Sequence, residues 1–325
     1  MSGCTDYICI MSKPVICIGA SFVDELFHAT EPVLPATTND AHVTKTAGGV
    51  SRNIAHQLAL LEVPVELISV FGDDSDGDWL KTVCTTAGVG VNASITRVGL
   101  TGKYTGILDK DGSLYTAFLT NSALELITPE YLTSQSDLLE SAAFILADAN
   151  LTVEAVNWLL GFSDAHQIPF ILEPVSVPPA RKFSHLALKG LSLVTPNEDE
   201  LPVMCTTESG LTQHHIEDLL NRGAEKIWLH NGKNGSALYT KNHSLTLHAP
   251  DVEVVDCTGA GDGSLTGYLL GQYLQFSDAA CLRLAHSLSA EILKVNGAIA
   301  DHLSREELLN RVPHYYPDFQ TALQP

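Results

Sequence analysis

The chain has 325 residues, 45% hydrophobic and 17% charged, the composition of a folded globular protein with length for one large core or two moderate ones. With 38 Asp and Glu against 18 Lys and Arg the formal net charge is −20, which excludes a general surface for a nucleic-acid polymer. A small anion is not excluded, because backbone amides that hold one do not enter the charge count.

The seven cysteines (Cys4, Cys9, Cys17, Cys84, Cys205, Cys257, Cys281) are odd in number and widely spaced, without a CxxC pair, and read as reduced thiols in a cytoplasmic protein. No apolar run approaches the ~18 residues of a membrane span, and the first residues lack a basic start and a cleavage site. Residues 1–12 therefore read as an extension ahead of one large domain, 13–325, with no membrane partner.

In chain order, "VICIGA" (15–20) reads as a strand followed by "SFVDELF", which carries Asp24. Residues 25–46 show no helical period. "TAGGVSRNIAHQLALL" (46–61) then places Gly48 and Gly49 before a helix with Ile54, Leu58 and Leu61 on one face. The glycines allow close backbone approach to a ligand, Asn53 would present an amide on the first turn, and Asp24 could accept from two neighbouring sugar hydroxyls. Taken alone, the glycine pair is more readily a plain loop-to-helix turn.

"VELISVFG" (65–72) is the next strand. Residues 97–120 read as two strands joined by "DKDGS", with Asp111-Gly112 as the turn, so 25–46 and 97–120 are expected to form a small antiparallel sheet projecting as a lid. Further strands are expected at 143–149, 169–175, 191–197 and 226–232, with the helix "TVEAVNWLLGF" between the first two and a hairpin "GSALYT"/"SLTLHAP" after the last. Nearly continuous apolar strands alternating with helices predict an α/β fold, a mostly parallel central sheet with helices on both faces. The His214-His215 pair lacks a third spaced ligand and reads as solvated.

"VVDCTGAGDGSLTG" (254–267) puts Gly259, Ala260, Gly261 and Asp262 directly before a helical pattern of Leu265, Tyr268, Leu269 and Tyr273. Amides at a helix start converge on one spot, where the dipole adds positive character, so the run can cradle an anion beside a carboxylate able to take a proton from a hydroxyl. A tight turn with a helix-terminal acid fits the same residues. There is no GxxxxGK[ST], HExxH, GxSxG or DFG-type set.

"AGGVSRNIA" and "DCTGAGD" together resemble the two signatures of the ribokinase-like (pfkB) family of carbohydrate and nucleoside kinases, over about residues 14–312. The resemblance implies ATP as phosphoryl donor, Asp262 as the base that deprotonates a hydroxymethyl group, and the amides of Gly259, Ala260 and Gly261 as an anion hole. "TPNEDE" resembles the family's NxxE element, so Asn197 and Glu200 would organise Mg²⁺ and phosphate through water; the same pair also reads as a capping box. Asp256 and Thr258 resemble positions that bind a monovalent cation, usually K⁺. "NGKNG", with Asn231, Gly232 and Gly235, resembles a turn lying along ATP and is equally a simple turn; Asn296 and Ala298 to Ala300 fall where the adenine pocket closes.

The strings "GGVSRNIAHQLALL", "ILADANL" and "EPVS" look closest to the pseudouridine kinase branch, which implies phosphorylation of the pseudouridine 5′-hydroxyl. That branch usually has Asp where this chain has Glu173, which puts a metal-linked role there in question. Lys103 and Tyr104 in the lid and Asn150 at a strand end are candidates for base or ribose contacts, although exposed turn and strand residues look the same. Ribose, fructose or adenosine as acceptor stays open, as does sugar binding without catalysis, against which the intact Asp262, Gly261, Asn197 and Glu200 set argues. Pairing through the lid would make a homodimer, as in many members of the family.

Overall fold

A computed structural model describes residues 13–120 and 122–323; the expected extension, 1–12, lies outside the described residues. The first strands are β1 (Val15–Ile18), β2 (Phe22–Ala29), β3 (Ala41–Gly48), β4 (Val65–Ile68), β5 (Val70–Gly72), β6 (Ile95–Arg97), β7 (Lys103–Leu108) and β8 (Leu114–Thr120). They are followed by β9 (Phe144–Asp148), β10 (Phe170–Glu173), β11 (Leu193–Val194), β12 (Lys226–His230), β13 (Ser236–Tyr239) and β14 (Ser244–Leu247). The longer helices are α1 (Val50–Leu60), α2 (Ser75–Thr86), α3 (Val153–His166), α4 (Thr212–Asn221), α5 (Ala260–Tyr273), α6 (Asp278–Ile292) and α7 (Arg305–Tyr315).

An eight-stranded sheet runs β14-β13-β12-β11-β10-β9-β1-β4, parallel from β12 to β4 and closed at its other edge by the antiparallel β13/β14 hairpin. Period-2 alternation sends successive side chains into separate cores: Ile16, Ile18, Ile145 and Leu172 pack on one face with α3 and α4, Val15, Cys17, Leu146 and Ile171 on the other with α1, α5 and α6. Because both faces are covered, the strands are apolar throughout, which is why they are visible as sequence runs.

The expected strands lose a residue or two at their ends, and two of them are cut further. The 65–72 run breaks at Ser69, whose N–H goes to the Ser94 hydroxyl at 3.0 Å, and the segment beyond it pairs with β6 instead of the main sheet. The 191–197 run keeps only Leu193–Val194, just ahead of Pro196, which has no N–H to offer a neighbouring strand. His215, expected to be solvated, is 5% exposed on the inner face of α4 and its carbonyl accepts from the Cys205 thiol.

The second sheet, β3-β2-β7-β8, is small and separate. Its outer pairs, β2/β3 and β7/β8, are antiparallel hairpins, and the two hairpins join through a parallel β2/β7 pairing. Strand order in the main sheet reverses at β1, which has β4 on one side and β9 on the other. Ligand sites of open parallel sheets form at such a switch point, beyond the carboxyl ends of the strands.

Candidate active site

The carboxyl ends of β1 and β9 meet at Asp148, which is fully buried. Its Oδ2 accepts from the N–H of Ala20 at 2.8 Å and of Ser51 at 3.2 Å, and its Oδ1 from that of Asn150 at 3.0 Å. One carboxylate thus ties two strand ends to the start of α1. A Cβ on Gly19 would sit 2.3 Å from it, so the turn after β1 needs a glycine.

Gly49 caps α1 with φ 100°, and a Cβ there would lie 2.3 Å from the Ala20 carbonyl oxygen, so close backbone approach is real at this position. At Gly48 a Cβ would meet the Asp24 carboxylate at 2.1 Å, which places Asp24 flat against this turn. From the first turn of α1, the Asn53 amide donates to Asp262 Oδ2 at 2.6 Å, so the two signature stretches, 209 residues apart, meet in one hydrogen bond.

Asp262 is on the first turn of α5, a helix capped by the backbone of Gly259 (φ 75°) with no side-chain cap. A Cβ on Gly259 would be 2.4 Å from Ala298 Cα, whereas one on Gly261 meets nothing within 4 Å and projects into open space. The helix therefore starts without a side-chain cap, the Ala260 N–H turning to the Cys257 carbonyl at 3.4 Å, and faces a cleft of about 840 Å³ that also receives Glu173, Thr195, Asn197 and Glu200. That cradle is the fit expected of a phosphate group.

The carboxylates around it repel one another. Burial pushes Asp262 up to about 6; the Asn53 hydrogen bond and the Arg52 charge oppose this, and Asp148 adds to it. Asp24 is likewise raised by burial to about 6, with Arg52 lowering and Asp262 raising it. Glu173 is pushed up to about 8, by burial first; Thr195 donates to its Oε2, and Glu200 and Asp262 add repulsion.

Asn197 and Glu200 close a reciprocal pair at the start of a short helix. The Asn197 N–H donates to Glu200 Oε2 at 2.9 Å, and Asn197 Oδ1 accepts from the N–H groups of Asp199 and Glu200, both at 2.9 Å. The capping role is thus present, and both side chains still line the cleft. Asp256 accepts from Thr258 N–H and Gly297 N–H, both at 2.9 Å, pinning the loop before α5 to the loop after α6; these bonds outweigh burial and hold its carboxyl below the ordinary range. Gly232 and Gly235 line the cleft, and Asn231 beside them has a buried Oδ1 without a partner among the described residues. Gly235 has φ 99° and no room for a Cβ against the Leu247 carbonyl, so the turn reading holds for it too.

Two expected residues are not brought in, and a third is held there by its backbone. Asn296 is exposed and outside the cleft lining. Lys103 pairs with Glu25 at 2.8 Å and Asp76 at 3.2 Å on the face of the small sheet opposite Asp24, because it stands one residue out of step with Tyr104, the β7 partner of Asp24. Asn150 is held at the switch point by its N–H alone among its described hydrogen bonds. Four residues of the site lie inside the stretches quoted above but were given no role from the sequence. Asp148 and Arg52 act from inside, Thr195 orients Glu173, and Gln57 holds the Ala300 N–H at 2.9 Å, bracing the loop that meets Gly259. An apolar-strand acid and a polar stripe on α1 were the available hints.

An open parallel sheet with an anion cradle and a carboxylate at its switch point is built to transfer a charged group to a hydroxyl. Residues 13–305 match the pfkB family carbohydrate kinase model, and the chain belongs to that family, as an ATP-dependent phosphotransferase. It is similar to the uncharacterized sugar kinase YeiI of Escherichia coli (strain K12), 33% identical over 82% of this chain and 75% of that one. It is also similar to the pseudouridine kinase of the same organism, 31% identical over 78% and 82%. The structure of Arabidopsis thaliana ribokinase complexed with ribose and ATP superposes with a TM-score of 0.82 at 21% identity, over 93% of this chain and 99% of the other, which shows the shared fold.

Proposed function

We propose that the protein phosphorylates the 5′-hydroxyl of pseudouridine. The observation that carries the chemistry is the 2.6 Å hydrogen bond from Asn53 to Asp262, which sets a base between a hydroxyl-binding acid, Asp24, and the amide cradle. Asp262 takes the proton of the attacking hydroxyl, and Asp24 with Gly48 and Gly49 holds the ribose. The amides of Gly259, Ala260 and Gly261 stabilise the charge that spreads over the moving phosphoryl group. ATP supplies that group, and Mg²⁺ bound with it offsets its charge. Asn197 and Glu200 would hold the metal through water. Asp256 and Thr258 would hold a monovalent cation, and Asn231, Gly232 and Gly235 would lie along the nucleotide. No helix among the described residues is long and apolar enough to cross a membrane, in keeping with a cytoplasmic enzyme. Outer-strand residues Tyr115 and Phe118 of the small sheet are 50% and 60% exposed, a surface on which a second copy would pair.

The acceptor is supported by the 31% identical pseudouridine kinase. ADP release with ATP, Mg²⁺ and a panel of pseudouridine, ribose, fructose and adenosine tests it. Pseudouridine is expected to give the highest kcat/KM; a free sugar that turns over while pseudouridine releases no more ADP than water overturns the reading.

A further inference from the structure

Arg52 is 2% exposed, deep beneath the site, and its partners are unusual for a buried guanidinium. Nη2 donates to the Ala47 carbonyl and to Asn53 Oδ1, Nε donates to the Gly48 carbonyl at 3.4 Å, and Nη1 faces His56 Nδ1 at 3.1 Å. No ion pair joins it to a carboxylate among the described residues, and its charge reaches Asp24 and Asp262 only at longer range.

We propose that Arg52 is a positioning residue for phosphoryl transfer, fixing the Asn53 amide so that its N–H is aimed at Asp262. The inference rests on the reading of Asp262 as base. Arginine carries donors and no acceptor, so whatever amide atom faces it must be oxygen. The same amide then has only its NH₂ to present on the other side, where Asp262 Oδ2 lies at 2.6 Å. The relay of guanidinium, amide and carboxylate orients one oxygen of Asp262 and leaves the other for a substrate hydroxyl. The Ala47 and Gly48 carbonyls bound by the same guanidinium belong to the turn against which Asp24 rests.

The groups facing Asp262 are Arg52 and Asn53 from α1, Asp24 from β2, Asp148 at the end of β9 and Glu173 at the end of β10. Arg52 is the cation among them, and it lowers both Asp24 and Asp262 against burial and mutual repulsion. His56 does not compete, since burial and then the Arg52 charge push it down to about 4 and leave it neutral near pH 7.

The test follows Asp262 by carboxyl ¹³C NMR in substrate-free protein, with its resonance assigned by loss in Asp262→Asn. Arg52→Met is expected to raise the titration midpoint by about one pH unit. In an Asn53→Ala background the same substitution should move it measurably less, because only the direct effect of the Arg52 charge remains and the part carried by the amide is gone. An unmoved midpoint, or an equal shift in both backgrounds, overturns the proposal. Should Arg52→Met not fold, Arg52→Lys reads the same way, since it keeps the charge and any upward shift must vanish once Asn53 is removed. Near-normal turnover of Asp262→Asn with ATP, Mg²⁺ and pseudouridine would sink the base assignment while leaving the titration result standing, so the two failures are separable.

Discussion

Asp262 has two separable tasks nearby. On the proposed function, proton abstraction needs its carboxylate, whereas holding the sugar and the nucleotide would fall to Asp24, the α1 turn and the helix-start amides. Asp262→Asn keeps the shape and an acceptor for Asn53 but removes the base, so kcat should fall by about 10²-fold or more while ligand affinity measured by calorimetry stays within a few-fold. Loss of binding in step with kcat would mean that the residue is structural. The place of Asp262 at a helix start was legible from "GAGD", and that of Asn53 on the first turn of α1 from "GGVSRN". Asp148 and Arg52 were not, because their roles depend on which strand ends become neighbours. An acid inside "FILADA" and an arginine on α1 look locally like any buried or helical polar residue until the topology brings β1, β9 and α1 together.

The start of α5 shows how two glycines of one short run differ in kind. Gly259 is demanded by the backbone, with φ 75° and Ala298 2.4 Å from any Cβ, whereas Gly261 meets nothing within 4 Å. Gly259→Ala should therefore lower the melting temperature by several degrees and disorder the cradle together with the Ala298 loop. Gly261→Ala should melt within about 1 °C of the parent but raise the KM for ATP, since its methyl occupies the space a phosphate would take. The reverse ranking in a thermal melt paired with initial rates would refute this division. Sequence alone read both as cradle glycines, since φ and close approach are properties of the folded loop. For the same reason the elements whose apolar runs are covered on both faces, β1, β9 and β10, were foreseen to within about two residues at either end, while Pro196 and Ser69 trimmed the two whose ends leave the sheet.

At the scale of the whole molecule, the α/β class and the small lid sheet follow from alternation and from the "DKDG" turn, yet the parallel β2/β7 join and the opposing faces of Asp24 and Lys103 follow from long-range pairing that no local pattern carries. The folded chain also gathers carboxylates at the switch point, and this has a cost that depends on pH. Glu173, ordinarily near 4.5, is raised by burial to about 8, and Asp24 and Asp262, ordinarily near 3.8, to about 6. A raised carboxyl stabilises the fold fully below its unfolded value and loses that contribution as pH climbs through the folded value. Histidines 56, 230 and 286 have the opposite sense, being pushed below 6.5 by burial, so their contribution is complete above 6.5 and is lost only on acidification. Between about pH 6.5 and 8.5 the decline therefore comes chiefly from Glu173, beside Glu200 and Asp262. In chelator and without nucleotide, the melting temperature should fall by roughly 2–4 °C across that interval, and Glu173→Gln should flatten the curve because its amide carries no charge to ionise. A Gln variant that declines as steeply as the parent would show that the mutual repulsion at this site is relieved by some other group.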